Sequence, residues 1–230
     1  MSKQSGPDGK QEDPADAYTP VPELLERLPK GGFTLSILAR RNSGKTVLIS
    51  EIIRELLKQK RVDIVYIMSG SAGLTKDYSF LPPEFVQPFS EQVLENIWNL
   101  QVKTEPEKRK HVLVVLDDCL ATPDAFSSQN VNRYMTLGRH AKCSLAILSQ
   151  HTGYLTSPIR RANSDLILWS KLNIQQLTAL HNSTTNISKT DFIKLSEKLG
   201  GVKYNFMCLD NYVGSSDWLE FLTFTRAAKK

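Results

Sequence analysis

The sequence predicts an α/β fold built on a mainly parallel β-sheet with helices on both faces. Three observations lead to this prediction. Five short runs are apolar almost without interruption, which is typical of strands covered on both faces. Segments with apolar residues at helical spacing separate these runs. A Gly-Lys-Thr triplet lies between the first strand and the first helix, at the strand end where parallel sheets bind ligands.

The predicted elements alternate along the chain. The first strand covers Phe33–Leu38, and a helix with a regular apolar spacing follows from Lys45. Ser90 is the expected N-cap of the next helix, because its side-chain oxygen can accept a hydrogen bond from a free backbone N–H. The apolar stripe predicted for that helix consists of Val93, Leu94, Ile97, Trp98 and Val102. Four more strands are predicted in "RVDIVYIMS", "HVLVVLDD", "CSLAILSQ" and "SDLILWS".

The segment beyond Trp169 is predicted to add two helices and two strands. The helices lie around Gln175–Leu180 and Lys189–Leu199, and the strands within Tyr204–Leu209 and Trp218–Thr225. The first residues are polar and rich in Pro, Gly, Asp and Gln, which indicates a flexible arm. We therefore predict an N-terminal arm over residues 1–30, a core over residues 31–185 and a small extension, packed on the core, over residues 186–230.

The charge, the cysteine spacing and the length of the apolar runs limit the classes of protein to which the chain can belong. The net charge of +5 over 230 residues is compatible with an acidic partner such as nucleic acid, although lysines also serve solubility. The cysteines Cys119, Cys143 and Cys208 lack the spacing of metal ligands and are expected to be buried thiols of a reducing compartment. No apolar run approaches the roughly 18 residues of a membrane-spanning helix. The N-terminus has no apolar signal-peptide core.

The stretch "ARRNSGKT" is close to the phosphate-binding pattern G-x-x-x-x-G-K-[ST]. Gly44 lets the backbone wrap around phosphate oxygens, Lys45 can reach the β- and γ-phosphates, and Thr46 offers a hydroxyl to Mg²⁺. Ala39 replaces the usual first glycine, and its methyl group is tolerated if the backbone keeps a negative φ. The predicted nucleotide-binding residues are Ala39, Arg40, Arg41, Asn42, Ser43, Gly44, Lys45, Thr46 and Val47.

Two acidic residues end the third strand. Asp117 is expected to hold Mg²⁺ through its water shell, so that Thr46 and Asp117 form the predicted metal site. Asp118 stands where many NTP hydrolases carry the carboxylate that orients or deprotonates the attacking water. On its own, such a strand could simply end in a solvated turn, but a phosphate-binding loop upstream favours the catalytic interpretation.

Gln150 and several arginines complete the predicted site. Gln150 ends the fourth strand, where an amide can contact both the γ-phosphate and the water. Arg139 precedes that strand, and Arg160 and Arg161 follow it. A neighbouring subunit can insert such a guanidinium to stabilise the charge that develops during phosphoryl transfer.

Taken in order, "ILARRNSGKT", "VLVVLDDCLA", "LGRHAKCSLAILSQH" and "SPIRRANSDLIL" resemble the genome-packaging ATPases of poxviruses and other large DNA viruses. Virophages and tailless, membrane-containing phages have related enzymes, all within the FtsK-HerA superfamily. The stretch "DYSFLPPEFVQPFSEQVLENIWNLQ" also resembles this family, and the resemblance covers roughly Gly32 to Leu180. It implies a P-loop NTPase fold of the ASCE, RecA-like type.

The resemblance also implies an activity. Such motors form a homo-oligomeric ring, hydrolyse ATP with Mg²⁺ and drive double-stranded DNA into a preformed capsid through a vertex or portal protein. In this chain Lys45 and Thr46 match the Walker A pair, Asp118 the catalytic acid and Gln150 the sensor. Arg139 is the leading arginine that acts in trans, and Arg160 is the second. The expected location is the packaging vertex of the virion or the cytoplasm of the infected cell.

Three alternatives stay open at this point. "ARRNSGKT" also resembles the Walker A loop of terminases; the chain after Thr185 is too short for their nuclease domain, which leaves a separate terminase-like ATPase subunit as the alternative. A small-molecule kinase would use the same loop, but the Asp-Asp and Gln arrangement favours hydrolysis. A scaffold could bind ATP without turnover. The basic clusters Lys58–Arg61, Glu107–Lys110 and Arg226–Lys230 do not reveal where DNA would bind, because each is common in solvated turns.

Overall fold

A computed structural model describes residues 18–74, 76–119, 125, 127–151, 153, 160, 162–182, 187–211 and 221–228. The described strands form one sheet of eight in the order β3-β2-β4-β5-β1-β6-β7-β8. Their bounds are β1 Thr34–Ala39, β2 Ile64–Ser69, β3 Val86–Gln87, β4 Val112–Asp117, β5 Cys143–Ser149, β6 Leu166–Ser170, β7 Asn205–Asp210 and β8 Leu222–Arg226. The strands from β3 to β6 in this order are parallel, whereas β7 is antiparallel to both β6 and β8.

Helices cover both faces of the sheet. Six described helices of the core have the bounds α1 Val21–Glu26, α2 Lys45–Lys58, α3 Glu91–Lys103, α4 Gln129–Leu137, α5 Ile174–His181 and α6 Lys189–Gly200. Alternate residues of each strand point to opposite faces. In β4, Leu113 and Val115 accordingly pack with α1 and α2, while Val114 and Leu116 pack with the other helices. This two-sided burial explains why the strands read as continuous apolar runs.

The order of the central strands brings distant motifs together. β5 lies between β1 and β4 and pairs in parallel with both. The loop after β1, the residue after β5 and the acids that end β4 therefore meet at one edge of the sheet, the carboxyl edge. This is the edge at which the sequence predicts the nucleotide site.

Most predicted elements are confirmed to within a few residues. Ser90 caps α3, and its Oγ accepts a hydrogen bond from the N–H of Val93. One part of the predicted stripe on α3 is wrong, because Val102 is 52% exposed and faces away from the core. Of the strand predicted in Trp218–Thr225, residues 218–220 lie outside the described residues.

Parts of the predicted arm and of the predicted extension belong to the packed core of the fold. Residues 21–26 form α1, whose Val21, Leu24 and Leu25 are buried against α2 and the sheet, so this part of the predicted arm is a packed helix. Residues 1–17 lie outside the described residues. After residue 186, β7 continues the core sheet through backbone hydrogen bonds with β6, and β8 pairs with β7. No described helix is long and apolar enough to cross a membrane.

Candidate nucleotide site

The loop between β1 and α2 has the backbone of a phosphate-binding turn. Asn42 and Gly44 adopt positive φ angles of 59° and 101°, and Gly44 precedes the first residue of α2 in a left-handed conformation. The hydroxyl of Ser43 donates to the carbonyl oxygen of Arg40 at 2.6 Å and closes the turn. Ala39 is the last residue of β1, paired with Ser170 in extended conformation, so its methyl group replaces a glycine without strain.

Lys45 contacts the carboxylate that the sequence assigns to catalysis. Its Nζ donates to Oδ1 of Asp118 at 2.7 Å, although the two residues are 73 positions apart. Lys45 is 6% exposed and Asp118 is 42% exposed, so the ammonium is buried while the carboxylate reaches solvent. Asp118 has a φ of 52°, an uncommon conformation that turns the chain sharply just after β4.

Gln150 holds the other oxygen of the same carboxylate. Its Nε2 donates to Oδ2 of Asp118 at 3.0 Å. Its backbone oxygen in turn accepts a hydrogen bond from Nε2 of Gln176 at 3.2 Å. Gln176 belongs to a capping box at the start of α5, in which its side chain and that of Asn173 bond each other's backbone N–H groups. The sequence predicted Gln150, but it gave no signal for the support from α5.

Asp117 is oriented by a buried tyrosine. The hydroxyl of Tyr78 donates to Oδ2 of Asp117 at 2.7 Å. Oδ1 of Asp117 is buried without a hydrogen-bond partner among the described residues, which is costly unless a cation or water completes it. Burial raises the pKa of Asp117, while the hydrogen bond from Tyr78 opposes that shift. Burial also raises the pKa of Tyr78 well above its usual value, so its hydroxyl stays a donor.

The oxygen atoms of this corner fit a magnesium ion. Mg²⁺ prefers carboxylate and hydroxyl oxygens and usually keeps several waters. Asp117 supplies one unpartnered carboxylate oxygen, and Thr46 supplies a hydroxyl in the first turn of α2. The residues that the sequence predicts for the metal are therefore chemically suitable.

Arg139 lies far from this edge. It belongs to the short 3₁₀ turn Gly138–Ala141 between α4 and β5, and it is exposed. A Cβ atom placed on Gly32 would lie 2.7 Å from the Cα atom of Arg139. Because Gly32 and Cys143 lie at the amino ends of β1 and β5, Arg139 is at the edge of the sheet opposite the phosphate-binding loop. It does not reach the nucleotide site of its own chain.

Arg160 is buried, with 5% of its surface exposed, and its Nε donates to Oδ1 of Asn132 at 3.2 Å. A guanidinium in this position supports α4 and is not presented to a neighbouring subunit, which disfavours the role in trans that the sequence suggested. Arg161 lies outside the described residues.

The comparison with protein families decides the assignment. The model of the poxvirus A32 protein family matches residues 24–197, which is more than half of the chain. The chain belongs to the poxvirus A32 protein family. The resemblance predicted from the sequence motifs is thereby confirmed, and the match also includes the second half of α1 and most of α6.

Two further viral proteins are similar to this A32-family chain. The uncharacterized protein 015R of Frog virus 3 (isolate Goorha) is 25% identical over 195 residues, which cover 82% of the chain and 59% of that protein. The uncharacterized protein 075L of Invertebrate iridescent virus 6 is 22% identical over 200 residues, covering 83% of the chain and 75% of that protein. The chain thus spans less than two thirds of the length of the frog virus protein.

Solved structures confirm the P-loop NTPase fold of the A32-family chain. The genome packaging NTPase B204 of Sulfolobus turreted icosahedral virus 2, in complex with ATP-gammaS, matches with a TM-score of 0.61 and 17% identity, covering 84% of the chain and 96% of B204. The pCW3 conjugation coupling protein TcpA, with ATPgS, matches with a TM-score of 0.60 and 16% identity, covering 86% of the chain and 60% of TcpA.

The sequence did not predict one contact at the phosphate-binding loop, and a substitution can test it. A Cβ atom on Gly44 would lie 2.4 Å from Cδ1 of Tyr204, whose ring packs over the loop from the segment before β7. We expect Gly44→Ala to lower the free energy of unfolding by about 1–3 kcal/mol, because the alanine is strained at this φ and displaces the ring. Urea denaturation measures the change. Gly31→Ala is the matched control, since that position is open and unstrained. Equal stabilities of the two variants would contradict this account.

Proposed function

We infer that this chain is an ATP-hydrolysing motor subunit that moves double-stranded viral DNA into a capsid. The observation that carries the proposal is the network at the carboxyl edge, where Lys45 and Gln150 bind the two oxygens of Asp118. The residue pattern of an NTP hydrolase is thereby assembled from three separate strand ends in a member of the A32 family. B204, which has a similar fold, is described as a genome packaging NTPase.

Nucleotide binding uses the loop and the start of α2. The N–H groups of the loop and of the first helical turn point at the phosphates, and the partial positive charge of the helix N-terminus favours the anion. Lys45 exchanges its contact with Asp118 for the β- and γ-phosphates. Thr46 and Asp117 would hold Mg²⁺, which when bound neutralises part of the phosphate charge.

Hydrolysis requires Asp118 to be free to act on water. Once Lys45 has turned to the phosphates, Asp118 keeps the hydrogen bond from Gln150 and can orient the attacking water or accept its proton. Gln150 lies between Asp118 and the phosphate-binding loop because β5 lies between β4 and β1. This position supports the proposal that Gln150 responds to the γ-phosphate. An amide beside the carboxylate favours hydrolysis over transfer of the phosphoryl group to a small-molecule hydroxyl.

Arg139 acts on the nucleotide of the neighbouring subunit in a ring. It is exposed at the edge of the sheet opposite its own site, where a neighbouring subunit can approach. A guanidinium inserted there would stabilise the charge that develops on the transferred phosphoryl group. Ring assembly, action on DNA of any sequence and docking on a capsid vertex or portal protein belong to this proposal.

The first experiment measures ATP hydrolysis with and without duplex DNA. We expect turnover that rises with DNA of any sequence and falls at least about a hundredfold in Lys45→Ala, because the phosphate charge loses its lysine. Lys194→Ala, an exposed lysine on α6, is the control and should keep normal turnover. ATP binding without turnover under every DNA condition would favour a scaffold.

A second experiment tests the metal corner. Tyr78→Phe removes the donor to Asp117 while keeping the ring, so we expect the Mg²⁺ concentration for half-maximal hydrolysis to rise about tenfold. ATP binding measured in a chelator should not change. Tyr134→Phe, which loses a buried hydrogen bond to the carbonyl of Leu94, is the matched control. An unchanged Mg²⁺ requirement in Tyr78→Phe would argue against this role.

A third experiment tests action in trans. Arg139→Ala and Asp118→Asn subunits should each be inactive alone, because each interface lacks one group. Mixing them creates interfaces in which an intact Asp118 faces an intact Arg139, so part of the activity should return. No recovery, with mixed rings confirmed by mass, would show that Arg139 does not serve the neighbour's site.

A further inference from the structure

A basic cleft lies at the amino edge of the sheet, opposite the nucleotide site. Its volume is about 370 Å³. The segments that lead into four neighbouring strands line it. Gly31 lies before β1, Asp63 before β2, His111 before β4 and Lys142 before β5. The residues that line this basic cleft are Lys30, Gly31, Lys60, Arg61, Asp63, Arg109, His111 and Lys142.

The fold joins two of the basic clusters seen in the sequence. Lys60 and Arg61 come from the cluster after α2, and Arg109 comes from the cluster before β4, some fifty residues later. Lys30 and Lys142 add two more cations from other parts of the chain. Neither cluster indicated a site by itself, but their convergence on one concave surface does.

Within the part of the chain that the structure describes, the lining of the basic cleft carries a net positive charge. Five cations face one acid, Asp63, whose Oδ2 already accepts a hydrogen bond from the N–H of His111. Among the described residues, none of the five cations lies within 4.0 Å of a carboxylate oxygen. Burial lowers the pKa of His111, so the imidazole stays neutral and adds no charge at neutral pH.

The two arginines are held in place by backbone oxygens. Both terminal nitrogens of Arg61 donate to carbonyl groups at the end of α1 and just after it. Nε and Nη1 of Arg109 donate to the carbonyl oxygens of Thr104 and His140, both at 2.9 Å. Carbonyl groups orient a guanidinium without cancelling its charge. Lys30 and Lys60 stand exposed at the rim, where long side chains can adapt to a ligand.

The lining residues favour a phosphodiester backbone over an acidic protein. No lining residue is a large hydrophobic one, whereas protein–protein interfaces place aromatic and aliphatic side chains at their centre. Protein–DNA interfaces are more polar and strongly positive. The cations of the lining can bind phosphates of any sequence, because contacts to the phosphate backbone carry no base information.

We propose that the basic cleft at the amino edge of the sheet binds the sugar–phosphate backbone of double-stranded DNA. This proposal rests on the proposed function, and it assigns the DNA-contacting surface that the sequence left open. It places DNA and the chain's own nucleotide at opposite edges of one sheet.

The test compares two variants that each lose two charges. Lys30→Gln/Lys60→Gln acts on the basic cleft, and Lys189→Gln/Lys194→Gln is a matched control on α6, where both lysines are exposed. Binding of a random-sequence duplex is measured over a range of KCl concentrations. We expect the slope of log affinity against log salt to fall by about 1.8 in the cleft variant, since each lost phosphate contact removes about 0.9. The control should keep the wild-type slope.

Each other outcome overturns the proposal in a distinguishable way. Duplex binding with the same slope in wild type and both variants would reject the cleft and leave the motor function standing. ATP turnover without duplex binding at any salt concentration would reject both the DNA-binding cleft and the motor function. If polyglutamate binds as tightly as duplex DNA, and this binding is lost in the cleft variant, the surface would be assigned to an acidic protein. If the double variant unfolds, Lys30→Gln alone gives the same comparison, with an expected fall of about 0.9.

Discussion

The position of β5 between β1 and β4 is the constraint on which the whole site depends. Parallel strands end at the same edge, so this order alone brings the loop after β1, Gln150 and the two aspartates together. None of these groups is close to the others in sequence. Helices cover both faces of the sheet around these strands. The continuous apolar pattern of β1, β4 and β5 is the consequence, since every residue of these strands is buried.

Electrostatics explains why the three motifs depend on one another. Lys45 is almost fully buried, and a buried ammonium requires an anionic partner. Asp118 provides this partner in the conformation described, and Gln150 fixes the carboxylate from the other side. In the proposed mechanism, a phosphate that attracts Lys45 releases Asp118 in the same event, so that a single side chain would couple nucleotide binding to preparation for hydrolysis.

Local signals in the sequence predicted the fold and most of this site. The phosphate-binding loop, the cap at Ser90 and the apolar strands each depend on a few neighbouring residues. What could not be predicted depends on contacts between distant segments. Tyr78 gives no pattern that points to Asp117, and Tyr204 gives none that points to Gly44. The burial of Arg160 and the packing of α1 could not be predicted for the same reason, because both depend on contacts between distant segments. None of the basic clusters indicated a binding site in the sequence, because the basic cleft forms only where the fold brings two of them together.

One strand has a polar group of the proposed mechanism at each end. Arg139 lies four residues before β5 begins, and Gln150 comes directly after it ends. The seven residues of β5 span about 23 Å at the usual rise per residue. They are buried and paired with β1 on one side and β4 on the other. In the proposed ring, where Arg139 serves the neighbour's nucleotide, this one buried strand would connect one nucleotide site to the next.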